Sequence, residues 1–93
     1  MPQWNHTFDV KDIWQARKAD KITLAELTKG IHSRLKNLAS NPKFETDLTL
    51  EDVVDSFEYL VEAGDEVDVE DFDIYWNDFY DWADANRVWV KIL

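Results

Sequence analysis

DVEDFDIYWNDFYDWADA, residues 68–85, is the stretch whose reading decides the fold. Phe72, Trp76, Phe79 and Ala83 recur at intervals of three and four, the spacing of one buried helical stripe. Tyr75 and Trp82 fall on one flank of that stripe. Asp68 stands where an N-cap belongs, and acids crowd the first turn, where the helix dipole favours negative charge. No Gly or Pro interrupts the run. The spacing therefore predicts a helix from about Val69 to Ala85. Its inner face is aromatic, and its outer face carries Glu70, Asp73, Asp78, Asp81 and Asp84, with Ile74 among them. Such a helix needs other elements to cover its aromatic side.

Working back toward the N-terminus, Gly64 is a suitable C-terminal stop for a preceding helix. Thr49 reads as the cap of that helix, with Asp52 at its third position and a Leu48–Val53 staple. Leu50, Val53, Val54, Phe57, Leu60 and Val61 form the expected buried face. Glu51, Asp55, Glu58 and Glu62 share the outer face, with Tyr59 among them. Earlier still, Thr23-x-x-Glu26 is a capping box, stapled by Ile22 and Leu27, ahead of a stripe of Leu24, Leu27, Ile31, Leu35 and Leu38. Gly30 lies inside this helix and is expected to weaken it by roughly 1 kcal/mol relative to Ala. Ser40-Asn41-Pro42 ends it. Asp9 reads as the cap of a first helix from about Val10 to Ala19, with Asp12 three residues on and a Phe8–Ile13 staple.

Both ends read as strands. Arg87-Val-Trp-Val-Lys-Ile-Leu93 alternates and is β-branched and aromatic, with Val88, Val90 and Ile92 on one face. Trp4, His6 and Phe8 alternate in the same way. A lone pair of strands is marginal in water, so the two segments are expected to pair as a ribbon packed on the helices. The expected fold is α+β, mainly α: one domain over residues 1–93, with four helices in two antiparallel hairpins closed by a short two-stranded ribbon of the terminal segments.

Charge is segregated along the chain. Between Phe44 and Ala85 stand sixteen acidic residues and no Lys or Arg. The preceding residues hold eight bases against four acids, and the whole carries a formal charge of −10. A block of this kind repels nucleic acid and attracts basic surfaces. Acidic disordered chains are poor in aromatics; with five Trp, five Phe and three Tyr this one is expected to fold. There is no cysteine, so neither a disulfide nor a thiolate zinc site is available. The opening residues lack the basic start and apolar run of a signal peptide. No apolar stretch approaches the ~18 residues of a membrane span. Cytoplasm is the expected compartment, with no membrane partner.

The opening Trp4-Asn-His-Thr-Phe-Asp-Val-Lys-Asp-Ile-Trp14 and the closing Tyr80-Asp-Trp-Ala-Asp-Ala-Asn-Arg-Val-Trp-Val90 together resemble small acidic proteins of tailed bacteriophages that infect actinobacteria. In those chains a W-x-H-x-F start and an A-D-x-x-R-V-W-I end bracket helices of variable sequence. The resemblance covers both ends well and the middle weakly. It implies a viral origin, a host-cytoplasm setting and an accessory role, and it implies no active site. The two segments that carry it are those expected to form the closing ribbon.

Chemistry-bearing motifs are few. No register of Asp65–Asp73 places oxygen ligands at the first, third and fifth positions of an EF-hand loop. The chain lacks H-E-x-x-H, G-x-S-x-G and a phosphate-cradling glycine loop. Asp78 and Asp81 are a carboxylate pair, but acid–base work would need one of them buried or tightly partnered. A cleft of ~300 Å³ or more is not expected in so small a chain. His6 is placed on the edge strand and His32 on the outer face of the second helix. These considerations favour a non-enzymatic protein with no catalytic residue, no cofactor and no metal site.

The acid block itself fits several readings. As a docking surface for a basic host or phage protein it would use Glu51, Asp55, Glu58, Tyr59, Glu62, Asp73, Ile74, Asp78 and Asp81. Carboxylates would steer the encounter, and Tyr59 and Ile74 would supply contact area. As a DNA mimic it would inhibit a host DNA-binding protein or nuclease, carboxylates standing in for phosphates spaced ~1.7 Å along the duplex axis. As mere solubilising charge it would leave a structural or self-associating protein. An immunity-type role against a basic nuclease fits the same pattern. Direct nucleic-acid binding through Lys11, Arg17, Lys18, Lys21, Lys29, Arg34 and Lys36 is disfavoured by the adjacent acids. Those bases are expected to pair with the acidic helices within the fold or between copies. Trp14 and Trp89 are candidate exposed contacts.

Overall fold

The computed structural model describes residues 4–44 and 48–92. The element order is β1 (His6–Asp9), α1 (Lys11–Lys18), α2 (Leu24–Ser40), α3 (Leu48–Ala63), a single 3-10 turn (Gly64–Glu66), α4 (Val69–Ala85) and β2 (Val88–Lys91). The fold is α+β and mainly helical, as the periodicity predicts. α4 has the predicted bounds, and Asp68 accepts the Asp71 N–H at 2.8 Å. The Thr23–Glu26 box is closed in both directions, at 3.1 and 3.3 Å. α3 ends at Ala63, and Gly64 follows it with a φ of +61°, a left-handed value that costs glycine little.

β1 and β2 pair parallel, with His6 opposite Val88 and Phe8 opposite Val90. A parallel pair needs a long crossover, and here all four helices supply it. The sheet survives as two strands because one face is sealed. Phe8, Val10 and Val88 are buried, and the Phe8 ring lies 4.8 Å from that of Phe79 on α4. Phe79 is the hub of the aromatic core. Trp76 and Trp82 flank it along α4 at 5.4 and 6.2 Å, and Phe44 reaches Trp82 at 5.6 Å. At the other end of the core, Phe57 of α3 meets Phe72 of α4 edge-on at 6.0 Å.

Several local expectations are corrected. α1 starts one residue late, with Val10 at the cap position. Asp9 belongs to β1, opposite Lys91, and its carboxylate instead accepts the Lys11 N–H at 3.1 Å. Thr49 lies inside the first turn of α3 rather than ahead of it, and the cap falls outside the described residues. The Leu48–Val53 staple does not form, because Leu48 is 78% exposed. Val54 and Val61 are half-buried at the edge of their helix's inner face, whereas Trp82, placed on a flank, is fully within the core. β2 begins at Val88; Arg87 is left-handed, with φ 59°. Trp14 is a core neighbour, 5.5 Å from Trp76 and 6.0 Å from Phe72, whereas Trp89 is exposed as expected.

Gly30 has a packing role that propensity alone does not disclose. A Cβ there would land on Ile13 Cδ1 and lie 3.3 Å from its Cγ1. The missing side chain lets α1 lie close against α2, an approach also tied by an Arg34–Asp12 ion pair at 2.7 Å. Gly30→Ala therefore sets a helix gain of about 1 kcal/mol against overpacking of about 1–3 kcal/mol. The expected outcome is a net loss of stability in urea melts. Adding Ile13→Val, which removes the obstructing methyl, should restore most of that loss. A stabilised single variant would contradict the close approach.

Candidate functional site

The acids chosen from sequence are all on the surface. Glu51, Asp55, Glu58 and Glu62 are exposed on α3, and Asp73, Asp78 and Asp81 on α4. Tyr59 is 66% and Ile74 57% exposed in their midst. Helical geometry divides the set, however. Asp73 lies on the flank of α4 turned away from α3, whereas Asp78 lies on the flank turned toward it. The nine residues are therefore not one contiguous patch.

The expected internal neutralisation is not seen. Among the described residues the ion pair formed is Arg34–Asp12, within the basic half. Arg17 donates to the Ile22 carbonyl at 3.2 Å, and the Lys91 ammonium sits 5.1 Å from the centre of the Trp89 ring. No cation reaches the carboxylates of α3 or α4 among the described residues. Their charge is directed at solvent.

Against expectation the chain does hold a cleft. Where the first two turns of α3 face the last turns of α4, the helices leave an open groove of about 490 Å³. Asp52, Asp78 and Asp81 stand around it, all exposed. Val53, Tyr75, Trp82 and Ala85 supply apolar surface, and Thr49, Ser56 and Asn86 complete the lining. The Ser56 hydroxyl is engaged with the Asp52 carbonyl at 2.9 Å, and the Asn86 amide with the Trp82 carbonyl at 2.9 Å. Sequence reasoning assigned Asp52 a position in the first turn of its helix and Tyr75 and Trp82 to a flank. The groove follows from how two helices diverge, and no local sequence signal records that.

His32 is not on the outer face of α2. It sits half-buried at the seam with α3, its Nε2 enclosed and without a hydrogen-bond partner. Burial lowers its pKa from the ordinary value near 6.5, and nearby Lys36 adds to this; Glu58 and Asp55, facing it from α3, pull the other way. With the pKa lowered in the folded state, the unfolded chain binds the proton more readily. The contribution of His32 is then fully present above its unfolded pKa and is lost as pH falls below it. Urea midpoints compared between about pH 7.5 and 5.5 should drop less for His32→Gln than for the parent. Identical slopes would contradict the buried placement.

His6, on β1, packs edge-on against Phe44 at 4.5 Å, a structural contact. Among the described residues no group of three or more His, Asp or Glu is arranged to hold a metal ion, and no helix is long and apolar enough to cross a membrane. No protein-family model, curated protein or solved structure matches the chain.

Proposed function

We propose that this protein is a non-enzymatic binding protein that docks a basic protein through the acidic surface of α3 and α4. The observation that carries the reading is the exposure of Tyr59 and Ile74 among carboxylates that no cation of the described chain neutralises. A surface needed only for solubility would mix signs and hide its large apolar groups. One that recruits a partner gains from both: long-range attraction raises the encounter rate, and the apolar groups give contact area. On the resemblance of the chain ends to phage accessory proteins, the partner would be a host or phage protein met in an infected actinobacterial cytoplasm.

The test is affinity capture from an actinobacterial lysate, eluted in steps of rising salt and read by mass spectrometry. The expected result is one basic protein released at moderate salt. Changing Asp55, Glu58 and Glu62 to Lys should abolish that capture while the helical circular dichroism persists. Capture unchanged by the reversal would overturn the reading. Competition by duplex DNA for the captured protein would redirect it to mimicry of the phosphate backbone.

A further inference from the structure

We infer that a second surface, where β2 and α4 meet the residues ahead of β1, docks a proline-rich extended segment of a partner protein. Trp4, Tyr80 and Trp89 line one groove there, together with Asp84 of α4. The three aromatic residues are themselves 38%, 47% and 49% exposed. They arrive from three places in the fold: Trp4 precedes β1, Tyr80 lies one turn before Asp84 on α4, and Trp89 lies on the face of β2 opposite the buried Val88. At up to ~250 Å² per aromatic residue, these fractions leave on the order of 300 Å² open. That is the size of the largest apolar patch on a typical monomer, a feature that is often functional. One extended segment covers such an area, whereas each side of a stable dimer needs ~800 Å². A second copy, itself carrying −10, would also be repelled. The groove volume, about 180 Å³, is below the ~300–1,000 Å³ of small-molecule clefts, so it takes a side chain or two rather than a whole ligand.

What the rings leave unpaired gives the chemistry of the segment. Among the described residues, no ring contact or side-chain hydrogen bond engages Trp4, Tyr80 or Trp89, except that the Lys91 ammonium lies 5.1 Å from the centre of the Trp89 ring. The rings therefore do not stack on one another, and gaps remain between them. They also offer two indole N–H groups and one phenol O–H as free donors. Proline fits both properties. Its apolar ring fills a gap between aromatic rings, and its carbonyl accepts a hydrogen bond while no N–H of its own is left unmet. A proline-rich segment is already extended as polyproline II and loses little entropy on docking, which is how aromatic-lined grooves recognise such chains. Nucleic-acid bases would stack on the same rings, but their phosphates would meet Asp84 and a strongly acidic chain. Asp84, exposed and without an ion pair among the described residues, instead complements a basic residue flanking the prolines.

The probe is a capped peptide of three Ala-Pro-Pro repeats followed by one Arg, compared with a peptide in which every Pro is Ala. Each is titrated to millimolar concentration into the intact ¹⁵N-labelled protein. The inference expects the indole N–H signals of Trp4 and Trp89 to shift, with the amides of Tyr80 and Asp84, while the indole signals of Trp14, Trp76 and Trp82 stay in place. The Ala peptide, which is not held extended, should bind about fivefold more weakly or worse. Trp89→Ala, at an exposed position, should weaken the Pro peptide about tenfold. Tyr80→Phe, which loses only the hydroxyl, should weaken it about threefold, the scale of one hydrogen bond. Equal affinity for the two peptides would overturn the proline assignment. Shifts confined to α3, or no binding of either peptide, would overturn the site. Shifts of the Trp4 and Trp89 indoles on concentrating the free protein, with a dimer in sedimentation, would give the groove to a second copy and overturn the inference as well. None of these results bears on the acidic face of α3 and α4, which lysate capture tests separately.

Discussion

Phe79→Ala should cost about 3–5 kcal/mol, the usual toll of emptying a large aromatic site in a core. For a chain of this size the whole folding free energy is about 5–15 kcal/mol. The variant should therefore melt tens of degrees lower, at roughly 4–8 °C per kcal/mol, or fail to fold. The reason lies in position. Phe79 is fully buried and lies between Phe8 of β1 and Trp76 and Trp82 of its own helix. Few neighbours can collapse into the void, because the sheet and the helix both lean on the same ring. Trp89→Ala is the matched control. That side chain is larger, but it is 49% exposed, so its loss should move the melting point by only a few degrees. A loss below about 1 kcal/mol for Phe79→Ala would mean that the core is centred elsewhere.

The second large effect concerns the sheet. Val88 is 1% exposed and pairs with His6 across the parallel ladder. Val88→Asp would bury a carboxylate against α4 with no cation on the neighbouring helix to meet it, an arrangement that costs several kcal/mol. Because the two strands hold the chain ends together, Phe8 and Val10 should lose their cover at the same time. Circular dichroism should show loss of the cooperative transition, and tryptophan emission should shift to the red. The neighbouring Trp89→Asp, on the opposite face, should remain folded and within about 1 kcal/mol of the parent. Equal damage from both substitutions would contradict the alternation and register of β2.

Most of the helical fold was legible because its signals are local. Asp68 and the Thr23–Glu26 box fix two helix starts through side-chain-to-backbone bonds within four residues. Gly64 fixes a stop through one backbone angle. The stripe of Phe72, Trp76, Phe79 and Ala83 needs only helical periodicity. What was illegible depends on how the elements meet. Two alternating segments announce strands but not their relative direction, and the parallel pairing follows from where four helices deliver the chain. Gly30 reads as a weak point until Ile13 is brought opposite it. His32 reads as outward until α3 packs over that flank. The candidate surface shows the same division. The exposure of Asp55, Glu58, Glu62, Tyr59 and Ile74 followed from periodicity. The inclusion of Asp52, Tyr75 and Trp82 in a groove did not, because it depends on the divergence of α3 from α4.

The central claim is that the place of the negative charge matters, and two isoelectric variants test it. The first, Asp55→Asn, Glu58→Gln and Glu62→Gln, removes three charges from the α3 face. The second, Gln15→Lys, Ser33→Lys and Asn37→Lys, alters net charge by the same amount at exposed sites on α1 and α2. The measurement is the amount of basic partner retained from lysate at moderate salt, with the two variants run in parallel. The account predicts that the first loses most of its capture and the second keeps it. Equal losses in both would show that overall charge, and not a docking face, governs the interaction.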